Sequence, residues 1–92
     1  MRFDTKVVRV GIDPCPATGA IVPPIYQSAT FVLEEVGSNK GYDYTRSSNP
    51  TRALMERNLA GIEGGRHGIA FASGMSTVDA ALKLLSAGDH VV

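Results

Sequence analysis

Proline is confined to the first fifty residues of this 92-residue chain, and this distribution divides the sequence into two halves. The five prolines are Pro14, Pro16, Pro23, Pro24 and Pro50. Each fixes its own φ, removes a backbone donor and favours an extended conformation in the residue before it. We therefore expect residues 1–48 to form an extended arm and residues 49–92 to form regular helix and strand. The apolar clusters of the arm are too short to form a core, so another surface must cover them.

The second half begins with a helix signature. Asn49 is a suitable N-cap, and Pro50 follows it at the first helical position. The apolar residues at helical spacing are Met55, Leu59 and Ile62, and Leu54 widens their stripe. Gly64 and Gly65 then end the predicted helix.

Residues 67–92 have the pattern of a strand-helix-strand unit. Residues 67–73 are a short apolar run typical of a strand buried in a parallel sheet, and Gly74 follows directly. A second amphipathic helix is predicted from Met75 to Gly88, with Asp79 and Lys83 paired on its polar face. Residues 89–92 resemble the start of a further strand. The pattern predicts an α/β fold that is cut in its last element and unstable alone.

Charge and composition exclude several function classes. The charges of the nine basic and nine acidic residues cancel, so the chain has no net positive charge that would attract nucleic acid. No apolar stretch approaches the ~20 residues that cross a bilayer. The single cysteine, Cys15, cannot form an internal disulfide or complete a structural zinc site, and between two prolines we expect it to be inert. These features predict a cytoplasmic protein without nucleic-acid or membrane partners.

The turn from the predicted strand into the second helix has the chemistry of an anion site. Free N–H groups at a helix N-terminus bind phosphate or carboxylate, and Gly74 allows close approach. The hydroxyls of Ser73, Ser76 and Thr77 offer further donors. Alternatively, Ser73 only caps the helix and Gly74 only forms a tight turn. The sequence lacks the P-loop and dinucleotide glycine motifs, which excludes ordinary ATPase and NAD sites.

Tyr44 and Arg46 form a second candidate site. Residues two positions apart in an extended segment project to the same side. The Tyr44 hydroxyl and the Arg46 guanidinium could then bind the same phosphate group. The alternative is a solvated loop in which Arg46 pairs with a surface carboxylate.

Several short motifs together resemble one enzyme family, the cystathionine gamma-synthase and gamma-lyase family of pyridoxal-phosphate (PLP) enzymes. The resemblance covers nearly the whole chain, and the ordered combination is specific although each motif is weak. The motifs are residues 23–27 (PPIYQ), 44–46 (YTR), 49–52 (NPTR), 63–65 (EGG), 71–75 (FASGM) and 88–92 (GDHVV).

The resemblance implies the amino-terminal part of an α/β fold-type-I PLP enzyme that acts on cystathionine or an activated homoserine ester at the gamma carbon. It implies that Ser73, Gly74 and Met75 bind the cofactor phosphate, the last two through backbone N–H groups. Tyr44 and Arg46 would reach the phosphate of a neighbouring subunit, in a dimer that assembles further into a tetramer. The arm would then pack on that partner.

The resemblance also implies what this chain lacks. It reaches about a quarter of the family's length and stops before the lysine that binds the cofactor covalently, so no catalytic residue is assigned and the chain alone is expected to be inactive. Lys6, Lys40 and Lys83 are expected to be solvated, and His67 and His90 to be structural. The rival hypothesis is a catalytically inactive truncated chain or split-protein piece that acts as a phosphate-binding or subunit-interaction module.

Overall fold

A computed structural model describes all 92 residues. The elements are α1 (Phe3–Arg9), β1 (Leu33–Glu35), β2 (Ser38–Asn39), α2 (Pro50–Glu63) and α3 (Gly74–Leu82). The two strands form an antiparallel hairpin in which Leu33 lies opposite Asn39. The longest helix has 14 residues, and none of the helices has the length and apolar character needed to span a membrane.

Helix α2 begins and ends where the sequence predicts. The Asn49 side chain accepts a hydrogen bond from the Thr51 N–H at 2.8 Å, and Pro50 occupies the first turn. Gly64 adopts the left-handed conformation at φ 70° and donates its N–H to the Ala60 carbonyl. Glycine adopts this conformation without the Cβ clash that other residues suffer, which explains why the helix ends here.

The arm is not wholly extended, because its first residues form α1 against α2. The Asn58 side chain donates to the carbonyls of Val7 at 3.2 Å and Val10 at 2.8 Å, which satisfies acceptors at the end of α1. Gly61 lets the helices approach closely, since a Cβ there would lie 2.7 Å from a Val10 methyl carbon. The prediction of an extended arm is therefore wrong for Phe3–Arg9, which lies before the first proline.

The predicted strand at residues 67–73 is not formed as a strand in this structure. Strands are defined by pairing, and no other segment of residues 1–92 forms a ladder with this one. Its larger apolar side chains are exposed, with Ile69 at 73% and Phe71 at 43%. Residues 89–92, the predicted start of another strand, are unpaired for the same reason.

Helix α3 is shorter than predicted, since it ends at Leu82 and not at Gly88. Beyond Leu82 the chain continues in tighter turns, with Leu84 and Leu85 donating to carbonyls three residues earlier. The predicted pair on the polar face is confirmed, because the Lys83 ammonium lies 2.8 Å from the Asp79 carboxylate.

The chain has almost no fully buried residues. Ala60 and Asn49 are the only buried residues, while Val22, Ile25 and Val32 remain 79%, 76% and 86% exposed. The radius of gyration is 16.7 Å, against about 12 Å for a compact domain of this length. The apolar clusters of the arm are therefore not covered by this chain. The boundary between residues 48 and 49 stays a prediction, because Asn49 is itself bonded to the arm.

Candidate anion-binding site

The N-terminus of α3 presents free backbone donors. Ser73 is the N-cap, and its hydroxyl oxygen accepts the Ser76 N–H at 3.1 Å. The N–H groups of Gly74 and Met75 donate to no carbonyl or side chain of this chain. Since helix dipoles place partial positive charge at this end, the two free donors form an environment suited to an anion.

Gly74 supports the anion interpretation over the alternative of a simple cap and tight turn. A Cβ built at Gly74 meets no atom within 4 Å, and its φ is not positive. Neither packing nor backbone conformation within residues 1–92 requires a glycine here. Ser73 does cap the helix, so that part of the alternative is confirmed, but capping leaves both free N–H groups available.

The shallow cleft beside this turn is built from α3 and the segment before it. No residue of the arm contributes to it. Its lining residues are Phe71, Ser73, Met75, Ser76, Asp79, Ala80 and Lys83. The structure therefore does not bring Tyr44 and Arg46 into the same cleft as Ser73–Met75 of their own chain.

Tyr44 and Arg46 lie together at the exposed end of the arm. An Arg46 guanidinium nitrogen donates to the Tyr44 hydroxyl at 2.8 Å, and the guanidinium carbon lies 5.1 Å from the ring centroid. Arg46 forms no ion pair with a carboxylate, contrary to the alternative of a surface salt bridge. Because the Tyr44 oxygen accepts from Arg46, its own proton is free, and both side chains offer donors to one acceptor group.

Backbone pairing fixes the position of this donor pair. Tyr44 forms an antiparallel bridge with Thr30, supported by hydrogen bonds from Phe31 to the Asp43 carbonyl and from Thr45 to the Ala29 carbonyl. Tyr44 itself lies in a paired segment, but residues 45–47 form a turn in which the Ser47 and Ser48 N–H groups donate to the Tyr44 carbonyl. The predicted extended geometry is therefore wrong for Arg46, which meets Tyr44 across this turn.

The sequence assigned no role to two residues of α2, Arg52, which belongs to the 49–52 motif, and Glu56. Arg52 donates to the Ser47 carbonyl at 2.5 Å and lies 3.9 Å from the Glu56 carboxylate. Glu56 in turn accepts the Ala70 N–H at 2.8 Å. Their spacing of four residues on α2 was the available signal, but it also fits an ordinary surface pair.

The remaining candidates lie apart from both donor groups. The partly exposed Cys15 thiol has a lowered pKa, chiefly because it is hydrogen-bonded to the Thr18 side chain and further because of the backbone N–H groups of Ala17 and Thr18. A lowered pKa means that the thiolate, which is the reactive form, is stabilised, and this argues against the expectation that Cys15 is inert. His67 and His90 are exposed.

Comparison with known proteins identifies the family. The profile of the family described as "Cys/Met metabolism PLP-dependent enzyme" matches residues 4–92. The chain belongs to this family. The resemblance inferred from the short motifs is confirmed, and with it the fold class, the amino-terminal part of an α/β fold-type-I PLP enzyme.

Individual relatives give the extent of the likeness. The chain is 49% identical over 91 residues to a cystathionine beta-lyase of Coxiella burnetii, covering 99% of this chain and 24% of the relative. It is 48% identical over 90 residues to a cystathionine gamma-synthase of Mycobacterium tuberculosis, covering 96% and 23%. A crystal structure of cystathionine gamma-lyase from Lactobacillus plantarum complexed with L-serine superposes with a TM-score of 0.82 at 43% identity, covering 98% and 23%. The chain thus spans about a quarter of the relatives' length.

The donors in this structure fit the phosphate of PLP. Phosphate is a dianion with several acceptor oxygens, and it is well matched by two free N–H groups at a helix N-terminus. The open space at Gly74 is the space that a Cβ would fill and that an approaching phosphate needs.

Proposed function

We propose that this chain is the amino-terminal portion of a PLP-dependent transsulfuration enzyme that acts at the gamma carbon of cystathionine or an activated homoserine ester. The observation that carries the proposal is the turn Ser73–Gly74–Met75, where two N–H groups lack acceptors and no neighbouring atom occupies the space above the glycine. Family membership makes PLP the expected occupant.

Within this proposal, each candidate residue has a defined role. The N–H groups of Gly74 and Met75 bind the cofactor phosphate, and the Ser73 hydroxyl adds a donor while capping α3. Tyr44 and Arg46 bind the phosphate in the neighbouring subunit of a homodimer, which assembles into a tetramer. This assignment is supported by their absence from the cleft beside Ser73–Met75.

When bound, PLP supplies an electron sink for carbanion chemistry. The residues of this chain orient and retain it, because charge-assisted hydrogen bonds from Arg46 and backbone N–H groups fix the phosphate end. The lysine that binds the cofactor covalently is assigned to a part of the protein outside residues 1–92. Lys83 does not suit that role, since it is paired with Asp79 and 75% exposed.

A second candidate reaction is supported by the 49% identity to a cystathionine beta-lyase. The two reactions differ in which carbon–sulfur bond of cystathionine breaks. With one water consumed, cleavage on the gamma side yields cysteine, ammonia and a four-carbon oxo acid, whereas cleavage on the beta side yields homocysteine, ammonia and a three-carbon oxo acid. Identification of the thiol and oxo acid formed by the full-length protein from cystathionine therefore separates the two.

The test of the proposal is cofactor binding by the full-length protein. We expect the purified protein to take up PLP, with a visible absorbance band that borohydride removes. It should either release a thiol from cystathionine or replace the carboxylate leaving group of a homoserine ester with the sulfur of a thiol substrate. The rival, an inactive interaction module, predicts a coding sequence that stops soon after Val92 and no such band.

The proposed function also includes a cytoplasmic location, which cell fractionation tests.

A further inference from the structure

An ion pair on α2 links the two donor groups of this chain. Arg52 donates to the Ser47 carbonyl at 2.5 Å, and Ser47 directly follows Arg46. Arg52 also pairs with Glu56, whose Oε1 lies 3.9 Å from the Arg52 Nε. The same Oε1 accepts the Ala70 N–H at 2.8 Å, three residues before Ser73. One side of the pair thus holds the arm, and the other holds the segment that leads into α3.

The Arg52–Glu56 pair is more shielded than the other ion pairs of the chain. Its side chains are 34% and 24% exposed, against 75% and 65% for Lys83–Asp79 and 88% and 85% for Arg2–Asp4. Exposed pairs contribute little because water screens them and their side chains are mobile. Partial shielding and two hydrogen bonds, one from Arg52 to Ser47 and one from Ala70 to Glu56, hold Arg52 and Glu56 in place on either side of their 3.9 Å ion pair.

Glu56 also touches the segment before α3 through its backbone. Gly68 packs against the Glu56 carbonyl so closely that a Cβ at Gly68 would collide with that oxygen. The side chain and the backbone of Glu56 therefore contact two positions, Gly68 and Ala70, in a segment that no strand pairing holds within this chain.

We propose that Glu56 is a positioning residue for the phosphate-binding turn, and that Arg52 extends its effect to the end of the arm. This inference rests on the proposed function. Glu56 fixes the segment at 68–70 and so places the free N–H groups of Gly74 and Met75. Arg52 fixes the turn that follows Arg46. Since the two donor groups are assigned to active sites in different subunits, a single ion pair holds one part of each of two sites.

The experiment uses the full-length enzyme and compares Glu56→Ala, Glu56→Gln and Arg52→Ala with Glu63→Ala. Glu63 is an exposed carboxylate at the end of the same helix that forms no ion pair, so it is a matched control. The measurements are the PLP concentration for half reconstitution of the apoenzyme, the phosphorus NMR shift of bound PLP, and hydrogen exchange in peptides covering 44–48 and 67–76.

Glu56→Ala is expected to weaken PLP binding about tenfold, the scale of one charge-assisted hydrogen bond. It should also shift the phosphorus signal and accelerate exchange in 67–76. Glu56→Gln keeps an oxygen that accepts from Ala70, so exchange in 67–76 should return toward wild type. Arg52→Ala should accelerate exchange mainly in 44–48. Glu63→Ala should leave all three measurements unchanged.

The outcomes separate this inference from the proposed function. Failure of the wild-type enzyme to bind PLP would overturn the proposed function itself. If the wild type binds PLP and Glu56→Ala matches Glu63→Ala in affinity, phosphorus shift and exchange in 67–76, the positioning role of Glu56 is wrong. If Arg52→Ala matches Glu63→Ala in exchange over 44–48, the role of Arg52 is wrong. Should Glu56→Ala fail to fold, Glu56→Asp decides the question, because the shorter side chain keeps the charge but withdraws the oxygen from the Ala70 N–H. Exchange in 67–76 and PLP affinity equal to those of Glu63→Ala would then overturn the positioning role.

Discussion

Asn49 joins the arm to α2 through every polar atom of its side chain. The residue is only 6% exposed, accepts from the Thr51 N–H, and donates to the Tyr26 carbonyl at 3.0 Å and the Thr45 hydroxyl at 3.1 Å. A cap alone needs only the acceptor. The additional donors show that this residue holds the arm in place as well as starting the helix.

Substitution of Asn49 should separate these two roles. Asn49→Ala loses cap and donors and should lower the free energy of opening of the first turn of α2 by about 2 kcal/mol. Asn49→Asp keeps the cap and should affect mainly the arm. Hydrogen exchange in peptides 24–30 and 50–56 of the full-length protein measures both effects. Asn39→Ala is the control, because that exposed side chain bonds only the nearby Gly41 N–H. Equal protection in Asn49→Ala and wild type would contradict the role.

Among single residues, the sequence predicted the contacts between residues that lie close together in the chain. The Asn49 cap, the Asp79–Lys83 pair and the meeting of Tyr44 with Arg46 all follow from spacings of four residues or fewer. The bond from Glu56 to Ala70 spans 14 residues and depends on how the chain folds back on α2. No local spacing encodes such a contact, which is why sequence reasoning missed it.

Among the elements, α1 lies against α2 because glycine at position 61 leaves room for Val10. Gly61→Ala would place a Cβ 2.7 Å from one Val10 methyl carbon and 3.0 Å from the other. Alanine favours the α2 helix by about 1 kcal/mol, but the overlap should displace α1 at a cost of about 1–3 kcal/mol. Faster exchange in residues 3–10 of the full-length protein is the expected result.

The double variant Gly61→Ala with Val10→Ala is the control for that experiment. Removing the Val10 methyl groups removes the overlap. Hydrogen exchange in α1 should therefore return part of the way to the slow rate of the wild type. Exchange in residues 3–10 that is as slow in the single variant as in wild type would show that α1 does not depend on this close approach.

Helix α3 offers a prediction in which stability and cofactor affinity change in opposite directions. Gly74→Ala meets no atom within 4 Å and needs no unusual φ, so the apoenzyme should be as stable as wild type or slightly more stable. The added methyl group occupies the space above the free N–H groups, so PLP affinity should fall about tenfold or more.

Apoenzyme melting temperature and the PLP concentration for half reconstitution test this pair of effects. Met75→Leu is the control, since it keeps the backbone donor and changes only a side chain that is 75% exposed. Unchanged affinity in Gly74→Ala would remove the main support for a phosphate at this turn. A loss of stability equal to the loss of affinity would indicate a structural glycine.

The helices and the strands differed in how well they could be predicted. Both ends of helix α2 were predicted at the correct residues, because capping residues and the spacing of apolar residues can be read from a contiguous stretch of sequence. The segment 67–73 has the composition of a buried strand, but a strand forms only with a partner, and none of residues 1–92 pairs with it. Helix α1 was missed because it has seven residues and no side-chain N-cap bond, so its contacts with α2 stabilise it more than its own sequence does.

For the whole molecule, burial predicts that residues 1–92 are not an independent folding unit. Ala60 is the single buried apolar residue, so the chain lacks a hydrophobic core, while ordering each residue costs about 1.5 kcal/mol. We expect the isolated chain to show no sharp thermal transition and to retain no PLP on Lys83 after borohydride reduction. Calorimetry and peptide mass spectrometry measure these properties. A cooperative transition together with labelled Lys83 would contradict the proposal that the cofactor lysine lies elsewhere.

The arrangement of the two donor groups predicts that active sites are shared between subunits. Tyr44 and Arg46 present their donors at the exposed end of an arm whose apolar residues this chain leaves uncovered. If the arm packs on a second subunit, Arg46 serves the site of that partner. Arg46→Ala should then inactivate the partner's site, while the substitution of the cofactor-binding lysine by alanine inactivates the subunit's own site.

Mixing these two full-length variants distinguishes the arrangements. In a mixed dimer, one site collects both substitutions, and the other combines an intact lysine from the first subunit with an intact Arg46 from the second. Activity should therefore reappear, approaching one working site per mixed dimer. Subunit exchange must be verified independently, for example by native mass spectrometry of differently labelled variants. If Arg46 acted within its own subunit, every site would carry one defect, and the mixture would stay as inactive as its components.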